Sequence, residues 1–237
     1  MSMPELDTLL VKPAVTSSTI DVLSDGYVLP CFVDLRNLEL PYAVAKYPVT
    51  NQAYHSFLEH VPRTKLLYTM DKRFNRPDHP VVGVNFPDAS EYCRWLSGLL
   101  NAKVELPDVA TWELLARGGQ KKTYATFEDR CDLDVTNVAL WLGGTNQVRR
   151  YPSNEYGIHD MTGNVLEWTS TIPLDSQMRP EYGAMPVQKP EDLARNRILK
   201  GGCWAFSRDN SRIDAITILT THSNYYTTGF RPLIRFC

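Results

Sequence analysis

The sequence predicts an α+β protein with much irregular structure, and three observations carry that prediction. Short runs of β-branched and aromatic residues occur between residues 27 and 49 and again at the end of the chain. Three capped amphipathic helix patterns lie between residues 50 and 118. After them, turn formers crowd around a few large apolar residues, which neither helical nor strand periodicity accommodates.

In chain order, residues 1–20 are a weakly patterned lead-in. Tyr27-Val28-Leu29, Phe32–Leu35 and Tyr42–Ala45 read as short strands, the last ending before Pro48. Thr50 is a good N-cap for a helix whose buried stripe is Ala53, Tyr54, Phe57 and Leu58. His55 and His60 lie off that stripe, and their spacing splays them apart, so they are expected in solvent rather than on a metal. Residues 61–78 are polar and Pro-bounded, a loop.

Asn85 caps a second helix, with Asp88 at its positive end and Ala89, Tyr92, Cys93, Leu96 and Leu100 inward. Asp108 caps a third, with Trp112, Leu115 and Ala116 inward and Gly118-Gly119 as its stop. Residues 151–170 form a tight irregular element around Pro152, Asn154, Gly157, Gly163 and Asn164. Residues 171–196 are Pro-rich and read as a long surface loop. From Arg197 the chain makes a strand, a double-glycine turn at Gly201-Gly202, a polar stretch with little periodicity, and a closing turn and strand at Gly229-Phe230-Arg231.

Composition narrows the functional class. The chain has 237 residues, 43% hydrophobic and 22% charged, with a formal net charge of −2, a soluble globular profile long enough for one large domain or two small ones. No basic face is expected, so nucleic acid is not a predicted partner, and Lys121-Lys122 and Arg149-Arg150 read as solvated surface. No secretory leader pattern and no apolar run of the roughly 18 residues that span a membrane is present, so the chain is expected to be cytoplasmic as synthesised. The five cysteines, Cys31, Cys93, Cys131, Cys203 and Cys237, are odd in number and irregularly spaced, so neither a disulfide framework nor a zinc cage is expected.

Five motifs in order from about residue 42 onward resemble the formylglycine-generating enzyme, or sulfatase-modifying factor, family. They are Tyr47–Asn51; His79–Val84 followed by Ala89, Tyr92, Cys93, Trp95 and Leu96; Leu106-Pro107 with Trp112-Glu113 and Ala116–Gly119; Tyr156–Trp168; and Gly201-Gly202 with Gly229–Arg231. The resemblance implies a single domain, 1–237, with a C-type lectin-like fold. It also implies where an oxidase of the family would carry its two copper-binding cysteines, the fourth and ninth residues after the double glycine. Those positions are Phe206 and Ser211, neither of which can be a thiolate ligand or nucleophile. Cys203 would need a register shift to substitute, and has no partner cysteine; a formylglycine-generating-type oxidase with a remodelled site is the competing expectation.

The chain resembles more closely the variable proteins of diversity-generating retroelements, whose C-terminal segment runs from a GGSW-like turn to a GFR-like strand. Here that segment is 201–231, with Cys203 in place of serine and Ala205-Phe206 in place of a more usual polar pair. Mutation of adenines in such systems yields the residue types that crowd this stretch. The resemblance therefore implies a non-catalytic ligand-binding protein that recognises a protein partner through Trp204, Phe206, Ser207, Asp209, Asn210, Asp214, Ile216, Thr220, His222, Asn224, Tyr225 and Tyr226. No cofactor is required on this reading. The resemblance also implies a structural calcium position built from Asp160, Gly163, Val165 and Glu167, an all-oxygen set; the alternative is that Asp160 caps the turn while Glu167 pairs with a buried arginine.

Overall fold

A computed structural model describes residues 10–11, 21–24, 26–61, 71–178 and 190–236. The first strands are β1 (Leu10–Val11), β2 (Asp21–Ser24), β3 (Tyr27–Pro30), β4 (Phe32–Asp34) and β5 (Tyr42–Ala45). Three helices follow, α1 (Asn51–His60), α2 (Phe86–Leu100) and α3 (Val109–Arg117), with β6 (Lys103–Glu105) between the last two. The chain ends with β7 (Leu166–Trp168), the one-turn helix α4 (Pro190–Leu193), β8 (Asn196–Lys200), β9 (Thr217–Thr220), β10 (Thr228–Gly229) and β11 (Leu233–Arg235). This is the α+β arrangement that the sequence predicts.

The helix ends sit where the capping residues place them. Thr50 Oγ1 accepts from the Ala53 amide at 3.1 Å, Asn85 Oδ1 from Asp88 at 2.9 Å and Asp108 Oδ1 from Thr111 at 2.7 Å. Each satisfies an amide that the first turn would otherwise leave open. Gly118 closes α3 in the left-handed conformation.

The strands form a five-stranded sheet in the order β1-β4-β5-β11-β6, a four-stranded sheet in the order β10-β7-β8-β9, and the hairpin β2-β3. β11 lies between β5 and β6, antiparallel to both, with Leu233 opposite Val44 and Glu105. The C-terminal strand is thus a central strand, covered on both edges. The main core gathers α1 and α2 around Tyr54, Phe57, Tyr92, Trp168 and Phe230, and Tyr54 and Tyr92 stack 5.7 Å apart.

Part of the lead-in, Leu10–Val11, packs on the body as a strand parallel to β4, while the rest of 1–20 lies outside the described residues. Three sequence expectations are corrected here. The 171–196 loop contains a 3-10 turn at Asp175–Gln177, α4 and the start of β8, and its residues 179–189 lie outside the described residues, as do 62–70 of the first loop. Lys122 is not solvated: its side chain is 6% exposed and its ammonium reaches Glu155 and the carbonyls of Thr126 and Phe127. The polar C-terminal stretch contains β9, because Ile218 turns into a small core with Ile198 and Met178 while neighbouring residues face outward.

Candidate recognition surface

The C-terminal segment is held at its start by the double-glycine turn. Gly201 and Gly202 have φ of 90° and 67°, values that a side chain penalises. A Cβ on Gly202 would overlap the Ser211 hydroxyl and lie 2.7 Å from the Ser211 backbone. Ser211 is buried and donates to the Ser207 carbonyl at 3.0 Å, closing a tight bend with the 3-10 turn Asp209–Ser211. The bend turns Ser207, Asp209 and Asn210 out to solvent.

Trp204 is the anchor of the segment rather than an open recognition residue, since it is only 5% exposed. Its amide donates to Asn164 O at 3.0 Å and its indole N–H to Tyr226 O at 3.4 Å. Phe74, Trp204 and Tyr226 form a triangle of rings with centroids 5.6–5.8 Å apart. Tyr225 O accepts from the amides of Gly83 and Thr228, both at 3.0 Å, so the backbone beneath the tyrosine pair is fixed. Tyr225 and Tyr226 themselves remain 52% and 43% exposed.

Beside this triangle stands a feature that sequence reasoning missed. The amides of Ala139 and Leu140 donate to the carbonyls of Phe206 and Trp204 at 2.8 and 2.7 Å, which docks the 139–142 turn onto the segment. Ala139 and Leu140 both adopt the left-handed conformation, at φ of 58° and 60°. Two consecutive non-glycine residues there store strain, as functional turns often do. The turn presents Leu140, Trp141 and Leu142 at 60%, 62% and 38% exposure. The available signal was the run Leu140-Trp141-Leu142 directly before Gly143-Gly144, three large apolar residues in a turn-rich context.

The other expected recognition residues divide. Phe206 and Ile216 are half-buried and pack against the cores beneath them. Asp214 is exposed but paired with Arg212 at 2.9 Å, next to the turn where the Ile213 amide reaches Thr123 O. Thr220 ends β9, with its hydroxyl 2.9 Å from that of Ser223. His222 is exposed and Asn224 is half-buried. Tyr226 therefore sits on the Trp204 anchor, Phe206 packs on the main core, and Asp214 sits apart beside the 123–130 turn.

The positions of catalytic interest are closed. Ser211 is fully buried, and Cys203 is fully buried with its thiol pushed up to about 12 by burial. At pH 8 burial therefore keeps the Cys203 thiol protonated. Iodoacetamide at that pH is expected to leave Cys203 unmodified in the folded chain and to label it fully in denaturant; rapid native labelling would show an open thiol. Cys31, Cys93 and Cys131 are likewise buried cysteines, and Cys237 lies outside the described residues.

The calcium expectation meets a different arrangement. Both Glu167 oxygens receive hydrogen bonds from Arg231, and Oε2 also accepts from the Trp112 indole at 2.7 Å. Asp160 Oδ2 accepts from the Arg149 amide at 2.8 Å, and burial pushes its carboxyl up to about 6. With a guanidinium seated on Glu167, the set Asp160, Gly163, Val165 and Glu167 does not fit a divalent cation as folded.

Comparison with known proteins places this geometry. The formylglycine-generating enzyme of Bos taurus is 34% identical over 176 residues, covering 66% of this chain and 44% of that protein. The inactive C-alpha-formylglycine-generating enzyme 2 of Mus musculus is 33% identical over 134 residues, covering 50% and 41%. The serine/threonine-protein kinase Pkn1 of Chlamydia trachomatis is 31% identical over 202 residues, covering 75% of this chain and 31% of the kinase, so this chain spans about a third of that relative's length. Among solved structures, Treponema denticola variable protein 1 superposes with a TM-score of 0.65 at 21% identity over 82% of this chain and 84% of its own. PvdO from Pseudomonas aeruginosa gives 0.66 at 21% identity over 82% and 80%. The model of the sulfatase-modifying factor enzyme 1-like domain matches residues 35–236, and the chain belongs to that family, with its C-type lectin-like α+β fold.

Proposed function

We propose that this chain is a non-catalytic ligand-binding member of the family, of the variable-protein kind, which recognises a protein partner through side chains in residues 204–228. The observation that carries the reading is the exposed pair Tyr225 and Tyr226 over the buried Trp204–Phe74 anchor. A rigid aromatic pair supplies binding area with little entropy to lose, and short polar neighbours can vary without touching the core. Phe206 and Ser211, where an oxidase would need thiolates, agree with it. The likeness to the Treponema denticola variable protein supports the scaffold that such a role requires.

The test is genetic and physical. The flanking DNA is expected to hold a near-copy of the sequence encoding residues 203–231 that differs only at adenines, beside a reverse-transcriptase gene. In the purified chain, Tyr225→Ala is expected to cost about 0.5 kcal/mol or less, as exposed positions usually do. No near-copy together with a large loss from Tyr225→Ala would make the tyrosine pair scaffold.

The second reading is an oxidase of the formylglycine-generating type, favoured by the Bos taurus relative. It would have to act through Cys203, the cysteine of the segment 201–231. Conversion of a cysteine-bearing sulfatase peptide, abolished by Cys203→Ala, would establish it in place of the first.

A further inference from the structure

A second concave site lies next to the recognition surface, and the proposed function makes no use of it. A cleft of about 380 Å³, within the usual range for small-molecule pockets, is lined by Lys72, Arg73, Arg76, His79, Asn146 and Arg150, among others. None of its lining residues is acidic. In a chain of net charge −2 this is a concentration of positive charge against the overall balance.

The charge is only partly compensated. Asp71 pairs with Arg73 at 2.6 Å and fixes its direction. Among the described residues, Lys72, Arg76 and Arg150 form no ion pair, and Arg150 lies over the Tyr151 ring at 5.8 Å. Asp78 is the carboxylate next to His79, and burial holds that imidazole below its ordinary range, so at neutral pH it lends a polar ring without adding charge. Lys72, Arg76 and Arg150 are solvent-exposed, so their donors can turn toward an anion in the concavity.

The frame behind these cations is rigid. The Asn51 side-chain amide donates to the carbonyls of Phe74, Arg76 and His79 at 2.6, 2.9 and 3.2 Å, which fixes the 71–79 loop from inside. Thr145 Oγ1 donates to Arg73 O at 3.0 Å and lies 3.1 Å from His79 Nδ1. The Val148 amide reaches Asp78 O at 2.9 Å, and Gly144 lets the Arg73 backbone come close, where a Cβ would lie 3.2 Å from its carbonyl oxygen. Both loops are therefore tied before any ligand arrives, which lowers the ordering cost of binding. In the same wall, the buried side-chain amide of Asn146 has no partner for either polar atom among the described residues, a shortfall that a molecule in the cleft is placed to answer.

We infer that this cleft binds a small, multiply charged oxyanion, a phosphate or polycarboxylate compound, between Lys72, Arg76 and Arg150. Guanidinium forks match both kinds of oxyanion, and the size of the cleft favours a small molecule over a chain segment. The site is independent of the reading of residues 204–228, so either can fail alone.

The test is titration calorimetry of the whole chain at low ionic strength, with pyrophosphate, citrate and a decamer of glutamate as probes. Arg76→Gln and Arg150→Gln are the variants, both at exposed positions, with melting temperatures checked to show that the fold is kept. Saturable binding of pyrophosphate or citrate, weakened roughly tenfold or more by each variant, is expected, and the tighter of the two identifies the source of the charge. Absence of binding by both, or binding that neither variant weakens, would overturn the inference. Binding of the glutamate decamer alone would overturn it too, and would point to an acidic protein face instead.

Discussion

Arg231→Met is expected to be among the most damaging single substitutions in this chain, costing about 3–5 kcal/mol, because it strands a buried carboxylate. Arg231 is fully buried, as is Glu167, and the two meet at 2.7 Å. The guanidinium also donates to Ala45 O and His159 O, both at 2.8 Å. One side chain thereby ties the end of β5, the 156–161 turn and β7 to the turn that precedes β11. A loss of that size is a large part of the roughly 5–15 kcal/mol that holds a domain folded. The discriminating measurement is a denaturant double-mutant cycle with Glu167→Leu. The double variant should be more stable than the sum of the single losses by about 2 kcal/mol or more, since it leaves no unpaired charge inside. The cycle will not return to zero, because the Trp112 indole N–H loses its acceptor. Simple additivity would mean that the two groups contribute separately and that the pair is not the clamp.

That network also marks how far the sequence could be read. Caps are local chemistry: Thr50, Asn85 and Asp108 each need an amide three residues ahead, so their helices were legible from a few neighbouring letters. The turns at Gly118, Gly201 and Gly202 were legible for the same reason. The double-glycine and Gly-Phe-Arg motifs located the ends of the recognition segment, but no local pattern says that Arg231 will find Glu167, 64 positions earlier. Lys200 illustrates the same limit. It ends β8 and is fully buried against Glu113, 87 positions away, at 2.8 Å, a pairing no local pattern announces. β9 was hidden for another reason. Its Ile218 and Leu219 sit among threonines in a sheet-edge strand with one inward face, and so short a run cannot show a convincing alternation. The Leu140–Leu142 turn escaped because exposed apolar residues look like core residues in a sequence; that the turn docks through the amides of Ala139 and Leu140 while its side chains face solvent is visible only in three dimensions.

Gly202→Ala is the second large effect expected, a loss of about 3 kcal/mol or more. A residue with a Cβ in the left-handed region costs about 1–2 kcal/mol, and forcing atoms into a packed site typically costs about 1–3 kcal/mol more. Both apply here, because φ is 67° and the added carbon would meet the Oγ, Cα and Cβ of Ser211. Gly98→Ala is the control within the same chain. Gly98 lies in α2, is exposed, and a Cβ there would have nothing within 4 Å, so alanine should stabilise by about 0.4–1 kcal/mol. Pairing Gly202→Ala with Ser211→Gly separates the two contributions. It removes the Oγ and Cβ overlaps but leaves the clash with the backbone of residue 211 and the left-handed strain, so thermal unfolding should show partial rescue. Full rescue would mean that the strain is negligible and the packing is everything. No rescue would mean that the packing of the turn on Ser211 does not hold the segment, and residues 203–211 would then have to be positioned from the Trp204 side alone, through its bonds to Asn164 and Leu140.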